Sequence, residues 1–197
     1  DEIININGEK FLKKNQNQKI KIGPSESMSK SKKNTIDPEK IISDFGADSV
    51  RLFILSDSPP EKDVQWSDEG IISSFKFLQK LWNLNSQILD EIQKDHKKDH
   101  DDLFNKMSNN FVDKVTNNLT KFTYNKIIAN LHEMHSEISS ILKNNYSSKT
   151  ILNNYKKILI CMIPVTPHFA NECISKLSDE TQLKWPDVDK AMLLEEN

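Results

Sequence analysis

The strongest constraint on the fold is the spacing of apolar residues after Ser67. Ile71, Phe75, Leu78, Trp82, Ile88, Leu89 and Ile92 recur at a helical period that also runs through position 85. Ser67-Asp68-Glu69 precedes them as a helix start, a serine N-cap followed by carboxylates in the positively polarised first turn. The same period returns over about 103–118 (Phe104, Met107, Phe111, Val115), 121–143 (Tyr124, Ile127, Ile128, Leu131, Ile138, Leu142) and 148–163 (Leu152, Tyr155, Leu159, Met162). Pro164 stops the last of these, and Thr166-Pro167 starts another helix to about Leu177. These runs predict an α-helical bundle of about five helices. The charged stretch 94–102 reads as a solvated connection, and residues 181–197 carry no period.

A smaller mixed segment comes first. Ile4 and Ile6 stand before Asn7-Gly8, and Ile20 and Ile22 come after a Lys/Asn/Gln stretch, which predicts a small exposed hairpin-like element. Residues 23–36 are rich in Ser and Lys and read as a loop. Asp37-Pro38 then opens a short helix with Ile41, Ile42 and Phe45 on its apolar face and Gly46 at its stop. A second short helix over 47–56 carries Val50, Phe53 and Ile54, and Ser58-Pro59-Pro60 ends it. The fold class is therefore mainly α, a short β/loop segment and two short helices ahead of the bundle.

Composition removes several functions. The 197 residues include only 4 Gly, none clustered, so a dinucleotide fingerprint and a Walker phosphate loop are both excluded. The balance of 27 basic against 29 acidic side chains excludes a wholly basic nucleic-acid binder but leaves room for a local basic patch. Arg51 is the sole Arg, which makes its position informative in a chain that otherwise uses Lys. Cys161 and Cys173 lie in apolar surroundings with no zinc spacing and read as two buried thiols of a reducing compartment. There is no run of 18 apolar residues, so no membrane span is expected. The opening Asp1-Glu2 is neither a signal peptide nor an initiator Met, which suggests a fragment or processed chain.

The most specific chemistry lies in the loop Gly23-Pro24-Ser25-Glu26-Ser27-Met28-Ser29-Lys30-Ser31-Lys32-Lys33-Asn34. Hydroxyls and an ammonium on a loop just before a helix suit an anionic phosphate chain, because Lys supplies rotatable donors and charge. A flexible Lys/Ser linker and a targeting-like basic run are the other readings of the residues alone. Ser27-Met28-Ser29-Lys30-Ser31 resembles the KMSKS signature of class I aminoacyl-tRNA synthetases. Phe45-Gly46-Ala47-Asp48-Ser49-Val50-Arg51-Leu52-Phe53 resembles the stretch downstream of that signature in the leucine/isoleucine/valine/methionine subgroup. Ser58-Pro59-Pro60-Glu61-Lys62-Asp63-Val64-Gln65-Trp66-Ser67-Asp68 is similar to the leucyl form in particular. Phe77-Leu78 with Leu81-Trp82, and Pro164 with Thr166-Pro167-His168, resemble the anticodon-binding helical bundle of that family.

The resemblance implies that Lys30 contacts the ATP phosphates and stabilises the transition state of aminoacyl-adenylate formation, with Met28, Ser29 and Ser31 completing the ATP-binding loop. Ser27 stands where the family has its first Lys, so one cationic contact is missing or comes from a neighbour such as Lys32. It further implies four regions: the end of a catalytic domain over 1–26, the signature loop and stem-contact segment over 27–66, the helical bundle over 67–180, and a tail over 181–197 leading to a missing C-terminal domain. The implied parent is a cytoplasmic, monomeric leucine–tRNA ligase that uses leucine, ATP and Mg²⁺ and acts on tRNA(Leu), with no membrane partner. The HIGH signature, amino-acid pocket and editing domain of such a parent are absent, so this piece alone is expected not to aminoacylate. A non-catalytic tRNA-binding helical module is the alternative. A helical interaction protein with a Lys/Ser linker is the third reading.

Other candidates weigh towards structure. Asp48 and Arg51 sit at i, i+3, so either they form a bidentate pair bracing this segment against the catalytic domain or Arg51 meets the tRNA backbone; the brace is favoured. Trp66 and Trp82 read as packed aromatics rather than base-stacking platforms. Lys76 and Lys80 fit a solvated helix face better than a phosphate contact. His96 and His100 lack the flanks of a metal site, which is not expected anywhere in the chain. His132 and His135 lack HExxH spacing and read as core-edge residues, and His168 reads as structural.

Overall fold

The computed structural model describes residues 3–6, 9–21, 23–57, 59, 61–94, 101–143, 146–177 and 183–193. The Asn7-Gly8 turn, Ile22, Ser58 and Pro60, and His96 and His100 lie outside the described residues, as do the ends of the tail. The chain divides into two units, Asp1–Ile36 and Asp37–Asn197.

The first unit is built on a three-stranded antiparallel sheet, β1 (Ile3–Ile6), β2 (Glu9–Leu12) and β3 (Asn15–Lys19), in that order. Ile6 pairs with Glu9 and Ile3 with Leu12, so β1 and β2 form the expected hairpin. The Lys/Asn/Gln stretch adds a third strand that the apolar pattern does not announce. Its pairing to β2 passes through an irregularity at Phe11/Leu12. Backbone hydrogen bonds do not depend on side-chain polarity, which is how a run as polar as Asn15–Lys19 joins an exposed sheet edge.

The second unit holds seven α-helices among the described residues: α1 (Pro38–Phe45), α2 (Ala47–Asp57), α3 (Asp68–Gln93), α4 (Asp101–Thr120), α5 (Tyr124–Ile141), α6 (Ser148–Met162) and α7 (Pro167–Leu177). The capping signals act where the sequence puts them. Asp37 accepts the Glu39 N–H at 3.1 Å, with Pro38 in the first turn. Gly46 takes φ +79°, a conformation that disfavours any Cβ, and donates its N–H to Ile42 O at 2.8 Å, which ends α1. Ser67 accepts the Gly70 N–H at 3.1 Å and starts α3.

Two boundaries differ from the periodicity. α4 begins at Asp101, inside the stretch read as a solvated connection. The run from 121 is interrupted: Phe122 sits at φ +54° and Thr123 bonds back to Asn118 O and Oδ1, so α5 starts only at Tyr124. The buried face of α3 also differs. Ile71, Phe77, Leu81, Leu84, Asn85 and Ile88 are buried, whereas Phe75, Leu78, Trp82, Leu89 and Ile92 are half-buried. The apolar surface of α3 is wide enough to serve two sets of neighbours. One flank meets α1 through Phe75 and Phe45 (ring centroids 5.8 Å) and α7 through Trp82 and Phe169 (4.9 Å).

The core lies among α2–α7, with Ile88, Phe104, Val112, Val115, Ile127, Leu131, Ile138, Ile158, Leu159 and Val165 fully buried. α4 packs on both α5 and α6, and α6 packs on α7 and α3. The aperiodic segment 183–193 is pinned to α4, through Trp185 Nε1–H to Thr116 Oγ1 at 2.9 Å and the Asp189 N–H to Asn109 Oδ1 at 3.0 Å. Among the described residues, no helix is long and apolar enough to cross a membrane.

Candidate functional site

The signature loop is folded by its own side chains. Asn34 Oδ1 accepts the Ser29 N–H at 2.9 Å, and Asn34 Nδ2 donates to Ser27 O at 3.4 Å. Ser29 Oγ lies 3.2 Å from Ser31 Oγ and accepts the Lys32 N–H at 3.3 Å. Backbone bonds from Lys32 N–H to Ser29 O and from Lys33 N–H to Lys30 O, each 3.2 Å, close a turn around Lys30. Lys33 closes it in the left-handed region, at φ +52°. An amide that both accepts and donates is the side chain suited to clasp such a turn.

This clasp presents Lys30 to solvent, with Met28 48% exposed and Ser31 exposed beside it, while Ser29 is half-buried by its role in the turn. Ser27 contributes its carbonyl to the clasp. The Lys32 ammonium, the candidate replacement for the first signature cation, pairs with Glu26 at 2.8 Å. Both partners are at least half exposed, so this pair holds Lys32 only weakly. Asn34, Lys33 and Glu26 are the loop residues that reading the motif alone missed. The available signal was an Asn in a Ser/Lys loop.

In the helical unit, Asp48 is a hub. Its side chain is 4% exposed. Oδ1 accepts from Arg51 Nη1 at 2.9 Å and lies 3.0 Å from His168 Nδ1, and Oδ2 accepts the Phe169 N–H at 2.8 Å. The sequence spacing brings Asp48 and Arg51 together as expected, but through one guanidinium nitrogen rather than two. Among the described residues, the elements that Asp48 joins are α2 and α7. Trp66 donates its indole N–H to Asp68 at 2.8 Å and sets its ring edge-on to Phe53 at 5.2 Å, so it braces the start of α3 against α2.

On the α3–α5 face, His132 stacks on Phe77 with ring centroids 3.6 Å apart, and His135 meets the same ring edge-on. Burial, and then the neighbouring His135 and Lys80 charges, push the His132 imidazole pKa down. Burial and Lys80 do the same to His135. Lys76 and Lys80 are exposed. Cys161 and Cys173 are buried free thiols, each pushed up to about 12 by burial. Among the described residues no group of three or more His, Cys, Asp or Glu is placed to hold a metal ion.

Comparison with known proteins matches both halves of this arrangement. Residues 20–67 match the family profile of class I tRNA synthetases (I, L, M and V), and residues 101–197 match the anticodon-binding domain of tRNA ligase. The chain is 36% identical over 189 residues to a leucine–tRNA ligase of Bartonella henselae, covering 90% of this chain and 22% of that protein. It is 35% identical over 208 residues to the leucine–tRNA ligase of Bartonella quintana, covering 98% of this chain and 24% of that protein. A crystal structure of the ternary LeuRS–tRNA–LeuAMS complex of Agrobacterium radiobacter shares the fold over 85% of this chain and 23% of that one, with a TM-score of 0.73 at 22% identity.

The chain belongs to the class I tRNA synthetases of the isoleucine, leucine, methionine and valine group. Within it, the chain is a segment of the leucine–tRNA ligase branch and spans under a quarter of the length of these curated relatives.

Proposed function

We propose that this chain is the part of a leucine–tRNA ligase that supplies the signature loop for ATP and a helical bundle for tRNA(Leu). The observation that carries the reading is the solvent-facing Lys30 ammonium on a turn clasped by Asn34, with the Ser29 and Ser31 hydroxyls 3.2 Å apart next to it. In the proposed reaction the leucine carboxylate attacks the α-phosphorus of ATP, the bond to pyrophosphate breaks, and leucyl-adenylate forms before transfer to tRNA. Negative charge grows on the departing pyrophosphate. A positioned ammonium stabilises that charge more than it stabilises bound ATP, which is what lowers a barrier. ATP would enter with Mg²⁺ on its phosphates, which offsets part of the same charge. Met28 and the two hydroxyls would shape the loop around the phosphate chain.

Residues 27–66 would then link the loop to the tRNA-bearing bundle of 67–180, and 181–197 would continue towards further domains. The parent would be a cytoplasmic monomer, and this segment alone would not aminoacylate.

Lys30→Ala in the full-length ligase tests the reading by ATP–pyrophosphate exchange. Loss of one charge-stabilising contact costs about 10²–10³-fold in the rate of adenylate formation. Exchange within a few-fold of the unmutated ligase would overturn the role of Lys30. A parent that binds tRNA but has no exchange activity would instead favour the non-catalytic module.

A further inference from the structure

The helical unit carries a groove of about 620 Å³ that the signature motifs do not touch. One wall is the outer face of α6, where Lys149, Asn153, Lys156 and Lys157 share one side at helical spacing. Lys184 lines it from the 183–193 segment. Lys149 and Lys184 are exposed, and Lys156 and Lys157 are half-buried. No Asp or Glu lines the groove among the described residues.

The sequence concentrates this charge. Between Glu137 and Glu172 there is no carboxylate side chain, yet Lys143, Lys149, Lys156 and Lys157 all fall there, in a chain whose net charge is −2. The other large groove, between α2, α3 and α7, has the opposite chemistry, with Asp48 and Glu172 beside Leu78, Trp82 and Phe169.

The groove is also built to hold its shape. Asn154, 1% exposed, donates to Asn105 Oδ1 at 2.7 Å and to Thr150 O at 2.9 Å, and it accepts from the Ser108 hydroxyl. This network adds polar bonds between α6 and α4, beneath the lysines, to the apolar packing of the two helices. The facing segment is fixed by the Trp185–Thr116 and Asp189–Asn109 bonds.

A fixed trough with several ammoniums on its walls, amides and hydroxyls on its floor and no lining carboxylate among the described residues matches a run of phosphates. Lysines make point-charge contacts that do not require one orientation of the phosphate. We infer that the α6 groove seats the phosphodiester backbone of RNA, and in the parent ligase that of tRNA. This rests on the proposed function and adds which face of the bundle carries the tRNA. Lys184 also meets Asp187 at 3.4 Å, with both ends in solvent, a contact weak enough to exchange for a phosphate.

The test uses the full-length ligase carrying Lys149→Gln, Lys157→Gln and Lys184→Gln together, with a matched variant bearing Arg at the same positions. The Gln variant is expected to raise KM for tRNA about tenfold and to flatten the log–log salt dependence of tRNA binding by about two to three, one increment per lost phosphate contact. ATP–pyrophosphate exchange and the melting temperature are expected to stay unchanged, and the Arg variant to bind as the unmutated ligase does. An unchanged KM and salt slope in the Gln variant would overturn the inference. So would an Arg variant as weak as the Gln variant, since the defect would then lie in shape rather than charge. An unmutated ligase that binds no tRNA at all would sink the proposed function itself, whereas tRNA binding indifferent to these lysines sinks only the groove.

Discussion

Asp48, near the start of α2, accepts the backbone N–H of Phe169 in the first turn of α7 at 2.8 Å, across 121 residues of sequence. That N–H is one of the donors a helix leaves without an intrahelical partner, and a buried carboxylate fills the gap. Asp48→Ala strands a buried donor and removes an acceptor of two further nitrogens. We expect it to lower unfolding free energy by about 2–3 kcal/mol in urea titration. Arg51→Lys should cost under about 1 kcal/mol, since Arg51 is 41% exposed and contributes a single nitrogen to Asp48. Equal losses in the two variants would contradict this ranking.

Gly70 is fixed by a close approach rather than by its backbone angles. A Cβ there would stand 2.5 Å from Phe53 Cε2 and 2.9 Å from Cδ2. Phe53 is buried and edge-on to Trp66, so it has little room to withdraw. Gly70→Ala gains up to about 1 kcal/mol in helix preference. The overlap costs about 1–3 kcal/mol. We expect a net fall in melting temperature, together with a change in Trp66 fluorescence. A rise would mean that the α2–α3 contact is soft.

Asn34 separates the fold of the signature loop from its charge. Asn34→Ala removes the clasp on Ser29 and Ser27 and leaves Lys30 in place. Adenylate formation by the full-length ligase should fall by about tenfold, less than for Lys30→Ala, because a mobile ammonium still reaches the phosphates part of the time. Asn34→Asp keeps the acceptor and should retain more activity than the alanine variant. Identical rates in all three proteins would remove Asn34 from the site.

The α3–α5 histidines give a pH dependence with a definite sign. Burial lowers the pKa of both His132 and His135 from the ordinary 6.5, so the native state prefers them neutral and the unfolded chain binds more protons. Their contribution is present in full above pH 6.5 and is lost as pH falls through the depressed native values. Lys80 faces both rings, while Glu137 on α5 is shifted up by burial and works in the opposite direction. Comparing variants cancels that background. The melting temperature of His132→Gln/His135→Gln should therefore drop less between about pH 7.5 and about pH 5 than that of the unmutated protein. Parallel curves would show that the histidines titrate alike in both states.

The helices, their caps and the signature loop were legible in the sequence because each rests on local physics. A serine or aspartate fills orphan donors, a glycine accepts positive φ, and apolar spacing marks a face. The order of motifs was likewise sufficient for the family. The features that stayed hidden depended on contacts between distant segments. The polar β3 strand forms because β2 offers backbone partners. The buried face of α3 is chosen by the neighbours on either flank, and the aperiodic segment 183–193 is held by bonds to Thr116 and Asn109.

The same division runs through the candidate sites. The sequence determined by itself that Lys30 stands in a Ser/Lys loop ahead of α1 and that Asp48 and Arg51 share a helix face. Only the tertiary structure decided that Asn34 folds that loop, that Asp48 serves α7, and that lysines of α6 and of the last described segment border one trough. Helical spacing is written in the chain, whereas the placing of Lys149 and Lys184 on one groove depends on how α6 and that segment pack on α4.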